Sequence, residues 1–181
     1  MPQAPGDASF VIRPTIEADW REVRDLRLEM IRDTPIAFGE TLDHAAVLDE
    51  EEWRVRARRG TAGNGVVVVA IDASRRWVGT MGGYVPDDAA DPLLVGVYVA
   101  PGFRGSGPGI TDALLAAVEQ WARTRGDRLA LHVHERNVVA RRSYERRGFV
   151  ATGHTQPYVL DPTAQEVEMV KVLRPTRPAT R

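Results

Sequence analysis

The part of the sequence best suited to chemistry is a glycine-rich segment between a β-branched run and a helix-like pattern. Four glycines fall within the eight residues 102–109, in the order GFRGSGPG. A helix start leaves several backbone N–H groups unpaired and partly positive, and glycines let an anion approach them without a Cβ in the way. The segment is therefore a candidate phosphate cradle, although a Gly-Pro surface turn explains it about equally well when taken alone.

The donors of this cradle would be backbone amides, with one arginine adding charge. They are the amides of Gly105, Ser106, Gly107 and Gly109, with the guanidinium of Arg104. Pro108 has no N–H and removes one donor. Two other phosphate motifs fit poorly. No Lys-Ser or Lys-Thr pair follows the glycines, and Ile110 stands where a dinucleotide motif needs its third glycine.

A second segment, LHVHERNVVARRSYERRGF at 131–149, reads as a short strand followed by a helix that stops at Gly148. Asn137 is a preferred residue type for capping such a helix. Ala140 and Tyr144 are four residues apart and share one helix face. By position alone, Tyr144 would be a residue of the hydrophobic core.

Taken together, the two segments resemble the GCN5-related N-acetyltransferase (GNAT) superfamily. Arg104-x-x-Gly107-x-Gly109 is similar to the pyrophosphate-binding signature of that family. The later block matches at Asn137, Ala140, Tyr144, Gly148 and Phe149. The spacing from Gly109 to the pair Leu114-Leu115 is two residues longer than the commonest family pattern, so an equally fair alignment treats Pro108-Gly109 as an insertion. The resemblance covers about residues 10–174.

The resemblance implies an acetyltransferase that moves the acetyl group of acetyl-CoA directly to a primary amine of a small molecule, peptide or protein. Backbone groups of Val97 and Val99 would pair with the pantetheine arm, and one amide would polarise the thioester carbonyl. Asn137, Ala140 and Tyr144 would contact the cofactor, with Tyr144 as the general acid that protonates the departing thiolate. The alternative is a non-catalytic acyl-CoA-binding or partner-interaction module on the same fold.

An acceptor amine must lose a proton before it attacks, because an alkylammonium group has a pKa of ~10.4 and no lone pair. Glu40, in the segment AFGET, is a candidate for the base, and Glu135 and His134 at a strand end are others. Each of the three is also readily explained as structural or solvated. His132 and His134 alternate onto one strand face without a third ligand nearby, so we expect no metal site.

The elements that must position these residues alternate along the chain. Strands are predicted at 10–14, 65–72, 76–85, 93–100, 128–134, 149–154 and 165–173, and helices at 19–33, 49–60, 110–126 and 137–148. Capping boxes are predicted from Asp19 to Glu22 and from Asp49 to Glu52. The pattern indicates a mixed α/β fold. The resemblance implies the GNAT fold, a mostly antiparallel sheet flanked by helices on both faces, with strands 4 and 5 splayed.

Composition limits the function classes. The 181 residues include 24 basic and 25 acidic side chains, a near balance that gives no general attraction to nucleic acid or anionic membranes. The absence of cysteine excludes disulfides and a cysteine nucleophile, which favours direct transfer. The sequence has no signal-peptide pattern and no apolar run of about 20 residues, so we expect a cytoplasmic protein.

Both ends of the sequence are rich in proline and small or polar residues. We predict disordered tails at 1–9 and 175–181 around one acetyltransferase domain at 10–174. Dimers are common among GNAT proteins, so the resemblance leaves a homodimer open.

Overall fold

Seven strands among the described residues form one sheet. The computed structural model describes residues 9–87, 90–105 and 109–173, and its strand order is β1-β2-β3-β4-β5-β7-β6. The bounds are β1 Phe10–Pro14, β2 Gly65–Asp72, β3 Trp77–Tyr84, β4 Leu93–Val99, β5 Arg128–His134, β6 Val150–Tyr158 and β7 Asp161–Val172. β4 and β5 run parallel, and the other neighbours are antiparallel. The predicted mixed, mostly antiparallel sheet is confirmed.

The described part of the chain also contains five α-helices. They are α1 Trp20–Asp33, α2 Leu42–Ala46, α3 Glu50–Arg58, α4 Ile110–Ala122 and α5 Val138–Arg146. The predicted order of the long elements is confirmed. The short helix α2 was not predicted. Its cap is Thr41, whose side chain accepts a hydrogen bond from the backbone N–H of His44 (3.2 Å). The tails predicted at the two ends lie, apart from residue 9, outside the described residues.

Helices cover both faces of the sheet, as expected. The β-branched run of β2 is buried on both sides because its side chains alternate between two cores. Val68 packs in the core that contains Leu114 of α4, and Val69 packs in the core that contains Trp53 of α3. α1 joins the second core, whereas α5 packs against the first.

A glycine in β3 sets how closely α4 approaches the sheet. A Cβ atom on Gly83 would lie only 2.7 Å from the indole ring of Trp121. Side-chain atoms do not approach so closely, so a larger residue would push α4 outward. The absence of a side chain at Gly83 therefore helps to fix the position of α4.

The two predicted capping boxes had different outcomes. Asp49 caps α3 as predicted, accepting from the N–H of Glu52 (2.9 Å), while the Glu52 side chain accepts from the N–H of Asp49 (3.0 Å). The prediction for Asp19 was wrong. Its carboxylate instead accepts hydrogen bonds from the Arg13 guanidinium (2.7 and 2.8 Å) and the N–H of Ile16 (2.8 Å). A charged partner on β1 therefore replaces the local helix cap.

β4 and β5 separate soon after they meet. Leu93 and Ala130 are their only paired residues within the described chain, supported by a hydrogen bond from the Ala130 N–H to the Pro92 carbonyl (2.9 Å). On its other side, β5 pairs with β7 along its whole length. A β-bulge bends β4 away from the pair, and Gly96 within it has φ +60°. The splay implied for strands 4 and 5 is confirmed.

Candidate active site

Backbone groups of β4 face the gap that opens between β4 and β5. Val99 stands opposite Gly79, and the N–H of the next residue, Ala100, donates to the carbonyl of Val78 (2.8 Å) on β3. Successive peptide groups of a strand point to opposite sides, so the N–H and C=O of Val99 point away from β3. Val97 lies in the bulge just before. An extended ligand in the gap would therefore meet the free N–H of Val99, whereas the Val99 carbonyl already accepts a hydrogen bond from Nε of Arg104 (2.6 Å).

A cavity of about 90 Å³ lies between β4, α4 and α5. Its lining residues are Met81, Leu94, Val97, Thr111, Leu115, Ala140, Ser143, Tyr144 and Arg147. The cavity brings together three of the predicted site residues, one from β4 and two from α5. Its wall is mainly apolar, with hydroxyl groups and one guanidinium among the lining side chains.

The phenol side chain of Tyr144 lines this cavity. Its ring packs edge-on against Phe149, with 5.7 Å between ring centroids, and its hydroxyl has no hydrogen-bond partner among the described residues. Burial raises the pKa of Tyr144, and the charge of Arg147 opposes that rise only in part. The phenol therefore holds its proton at neutral pH and remains able to donate it.

The described glycines of the turn before α4 have open surroundings. Gly105 and Gly109 have φ values of +88° and +73°, and a Cβ atom built on either would meet nothing within 4 Å. Gly109 precedes α4, and its carbonyl accepts the first helical bond from the N–H of Ala113 (2.9 Å). Among the described residues no side chain caps this helix start, which leaves its first N–H groups without a partner in that part of the chain. Ser106 and Gly107 lie outside the described residues.

Asn137 begins α5 as predicted. Its side-chain oxygen accepts a hydrogen bond from the N–H of Ala140 (3.2 Å). The cap orients the first turn of α5 and so places Ala140 on the cavity wall. A direct contact between Asn137 and a cofactor stays a prediction.

Arg104 reaches from the glycine-rich turn toward α1. Its Nε donates to the carbonyl of Val99 (2.6 Å), its Nη2 pairs with Asp33, and its guanidinium lies over the ring of Tyr98, 5.5 Å from the centroid. Binding a phosphate group would require Arg104 to leave some of these partners. That predicted role stays a prediction.

A second, wider cleft of about 480 Å³ lies on the α1 face of β4. Its lining residues are Asp25, Glu29, Arg32, Asp33, Tyr98 and Pro101. Tyr98 is buried and donates its hydroxyl hydrogen bond to Glu29 (3.0 Å). Burial, followed by this bond to a carboxylate, raises the pKa of Tyr98 to about 12. Three carboxylates and one guanidinium line this acidic cleft, and each carboxylate already has an arginine partner. The pairs are Asp25 with Arg24 (3.0 Å), Glu29 with Arg76 (3.2 Å) and Asp33 with Arg104.

Two arginines hold the carboxylate of Glu40, and its predicted role as the base stays a prediction. Its buried carboxylate is bound by Nε of Arg27 (2.8 Å) and by both terminal nitrogens of Arg56 (2.9 and 2.7 Å). Burial alone would raise the pKa of Glu40, but the two arginines outweigh it and lower the pKa to about 2. Both oxygens are occupied and the group is a weak base. Its evident role is to tie the segment after α1 to α1 and α3.

The other candidate bases are also engaged. The Nδ1 atom of His134 accepts from the N–H of Arg136 (3.1 Å), and its ring meets Tyr158 edge-on at 4.7 Å. The exposed carboxylate of Glu135 accepts from the N–H of Gln165 (3.2 Å). No group of three metal-ligating side chains occurs in the part of the chain that the structure describes. That part also contains no helix of the length and apolarity needed to cross a membrane.

Comparison with known proteins agrees with this geometry. The sequence model of the acetyltransferase (GNAT) family matches residues 23–149, from α1 through the end of the Tyr144 segment. The protein belongs to the GNAT family. No curated protein sequence matches the chain.

Solved structures share the GNAT fold over nearly their whole length. A GNAT-family acetyltransferase from Streptococcus pneumoniae is 20% identical, with a TM-score of 0.73 over 91% of this chain and 99% of that one. Ribosomal-protein-alanine N-acetyltransferase from Brucella melitensis is 23% identical, with a TM-score of 0.71 over 90% and 99%. PaiA N-acetyltransferase from Thermoplasma acidophilum, in complex with coenzyme A, is 18% identical, with a TM-score of 0.64 over 91% and 99%.

The sequence left two features of this GNAT site open. The first is the bulge at Gly96, for which a signal existed, since an isolated glycine within a strand pattern often marks a bulge. The second is which arginine of the α5 segment lies on the cavity wall. The sequence predicts only that one or two of these arginines reach the CoA phosphates, and the structure places Arg147 on the wall. No local pattern distinguishes Arg147 from the other arginines of α5, because its partner Asp112 lies on α4.

Proposed function

We propose that the protein transfers the acetyl group of acetyl-CoA directly to a primary amine of an acceptor. The observation that carries the proposal is the gap between β4 and β5, because it leads from the glycine-rich turn to the cavity that contains Tyr144. Membership of the GNAT family supports acetyl transfer in general. Acetyl-CoA would supply the activated acetyl thioester.

The residues present fit such a cofactor. The unpaired N–H groups at the start of α4, next to Gly109, suit a diphosphate, because the helix dipole and the open backbone both favour an anion. The outward-facing N–H of Val99 and the bulge at Val97 suit an extended amide-containing arm, and the Val99 carbonyl would join them once Arg104 releases it. The mainly apolar cavity suits the methylene and thioester end of that arm.

Two groups of the chain would carry the chemistry. A β4 amide beside Val97 or Val99 would stabilise the negative charge that develops on the thioester oxygen as the amine attacks. As the C–N bond forms and the C–S bond breaks, Tyr144 would donate its phenolic proton to the departing thiolate. The proton that the attacking nitrogen loses would pass through solvent and restore the phenol. A general acid of this kind contributes ~10²–10⁴ in rate.

The acceptor would approach from the acidic cleft on the α1 face. Tyr98 lines that cleft and is adjacent in β4 to Val97, which lines the cofactor cavity. The two openings therefore flank the part of β4 that has separated from β5. A cationic amine would share the carboxylates of the cleft with the arginines that already pair with them. We assign no residue as the base. A cytoplasmic location, a homodimer and the absence of a metal stay predictions.

The test has two stages that separate catalysis from binding. Calorimetry with CoA and acetyl-CoA first measures binding. Incubation with acetyl-CoA and a panel of amines, followed by free-thiol detection and by mass spectrometry of the products, then measures transfer. We expect binding and amine-dependent thiol release, with both the amine and the acetyl group found in one product. Binding of CoA without any thiol release across the panel would favour the non-catalytic alternative, and lack of CoA binding would contradict both.

A further inference from the structure

We propose that Arg147 binds the diphosphate of the cofactor, from the side opposite the first turn of α4. This inference rests on the proposed function, and the experiment below gives different results for failure of the inference and failure of the proposed function. Arg147 is the C-terminal cap residue of α5, and it lines the same cavity as Tyr144.

Arg147 differs from the other arginines in and beside α5, which are Arg136, Arg141, Arg142 and Arg146. Arg136 lies 3.8 Å from Asp161, and Arg141 lies 3.6 Å from Glu145. Arg142 and Arg146 are exposed and have no side-chain partner among the described residues. None of these four lines the cavity.

The side chain of Arg147 is held in place from two directions. Its Nε donates to Asp112 Oδ1 (2.7 Å), and its Nη1 donates to the carbonyl (3.1 Å) and Oγ (2.6 Å) of Ser143. Only 19% of the side chain is exposed. Nη2 has no partner within the described part of the chain. A partly buried, oriented guanidinium therefore keeps two N–H groups for a further acceptor.

Asp112 brings this guanidinium to the anion-binding end of α4. Asp112 lies in the first turn of α4, two residues after Ile110, where the helix presents its unpaired N–H groups. A diphosphate at that end would have backbone donors on one side and Arg147 on the other. A planar guanidinium matches two phosphate oxygens at once, which a point charge does not.

The ion pair with Asp112 also explains how an arginine can occupy the cavity wall before the cofactor binds. A partly buried cation without a partner is costly, and the carboxylate of Asp112 offsets that cost. Asp112 itself is largely exposed, with 68% of its side chain accessible, so water can solvate it when phosphate oxygens take over Arg147.

The test compares Arg147→Gln with Arg142→Gln, a matched control on the exposed side of the same helix. Calorimetry measures the affinity of each variant for CoA and for dephospho-CoA, which lacks the 3′-phosphate and keeps the diphosphate. We expect Arg147→Gln to raise both dissociation constants about tenfold or more, the usual contribution of a charged hydrogen bond. Arg142→Gln should leave both unchanged.

Two further variants protect the test against a folding defect. Arg147→Lys keeps the charge but loses the planar fork, so its affinities should lie between those of Arg147→Gln and the unchanged protein. Asp112→Asn keeps Arg147 and removes the competing carboxylate, so it should tighten CoA binding by about two- to fivefold, most clearly at low salt.

Several outcomes would overturn the proposal. Unchanged affinity in Arg147→Gln would do so, as would a loss seen with CoA but not with dephospho-CoA, which would assign Arg147 to the 3′-phosphate. Weaker CoA binding in Asp112→Asn would also contradict it. If the unchanged protein does not bind CoA at all, the proposed function itself fails, which is a different result.

Discussion

Val97 and Tyr98 are neighbours in β4 that open onto opposite faces of the sheet. Val97 lines the cavity that contains Tyr144, and Tyr98 lines the acidic cleft and binds Glu29. The alternation of strand side chains produces this arrangement. Because β4 separates from β5, a ligand held in the gap between them would be accessible from both faces of the sheet.

Replacement of Tyr144 by phenylalanine tests its proposed role as the acid. Tyr144→Phe keeps the ring against Phe149 and loses only the hydroxyl, so CoA affinity should change little. Turnover should fall ~10²–10⁴-fold, as expected for loss of a general acid. Steady-state kinetics and calorimetry measure the two effects. Equal turnover in both proteins would remove the acid role.

The pH dependence of turnover provides a second check on Tyr144. Because burial raises the pKa of Tyr144, the phenol stays protonated beyond its usual range, and loss of the acid should not limit kcat below about pH 10. A kcat profile that falls on the alkaline side between pH 7 and 9, and does so only when Tyr144 is present, would contradict this assignment.

The left-handed backbone at the start of α4 requires glycine. Gly109→Ala should lower the free energy of unfolding by about 1–2 kcal/mol through backbone strain, because Gly109 has φ +73° while its surroundings are open. CoA affinity should fall as well if the turn adjusts. Gly102→Ala is the control, since a Cβ there meets nothing within 4 Å and its φ is not in the left-handed range. Urea unfolding should separate the two variants.

The carboxylate of Glu40 should contribute to the free energy of unfolding. Glu40→Gln leaves Arg27 and Arg56 without their carboxylate, which should cost about 3 kcal/mol in urea unfolding at pH 7. The pKa of Glu40 is depressed from 4.5 to about 2, so its contribution is full above about pH 4.5 and is lost as pH falls toward 2. The stability difference between the two proteins should therefore be constant from pH 7 to 5 and shrink below pH 4.5.

A base role for Glu40 would give a different result. Glu40→Gln should then abolish turnover in fully folded protein at low temperature. We expect the folded variant to keep most of its activity there, because the arginines already occupy both carboxylate oxygens.

Close packing of α4 on the sheet can be tested at Gly83. Gly83→Ala should cost about 1–3 kcal/mol, because the added methyl would lie 2.7 Å from the Trp121 ring. Gly63→Ala, in an open loop where a Cβ meets nothing within 4 Å, is the matched control. Similar unfolding free energies for both variants would mean that α4 moves without cost.

Much of the fold was predictable because it depends on local patterns. The β-branched run of β2, the periodic apolar face of α4 and the capping box at Asp49 each specify an element through residues a few positions apart. The glycine-rich turn and the α5 block were recognisable for the same reason. Gly96 was the exception, because an isolated glycine in a strand pattern is itself a local signal for a bulge, whereas the sequence prediction was an uninterrupted strand.

The sequence by itself determined the order of the elements, the glycine turn before α4 and the placing of Asn137, Ala140 and Tyr144 on one helix. Only the tertiary structure decided which charges meet, because those partners lie far apart along the chain. Arg56 is 16 residues from Glu40, Asp112 is 35 from Arg147, and Asp33 is 71 from Arg104. Periodicity and capping extend over only a few residues, whereas these ion pairs depend on how whole helices pack against the sheet.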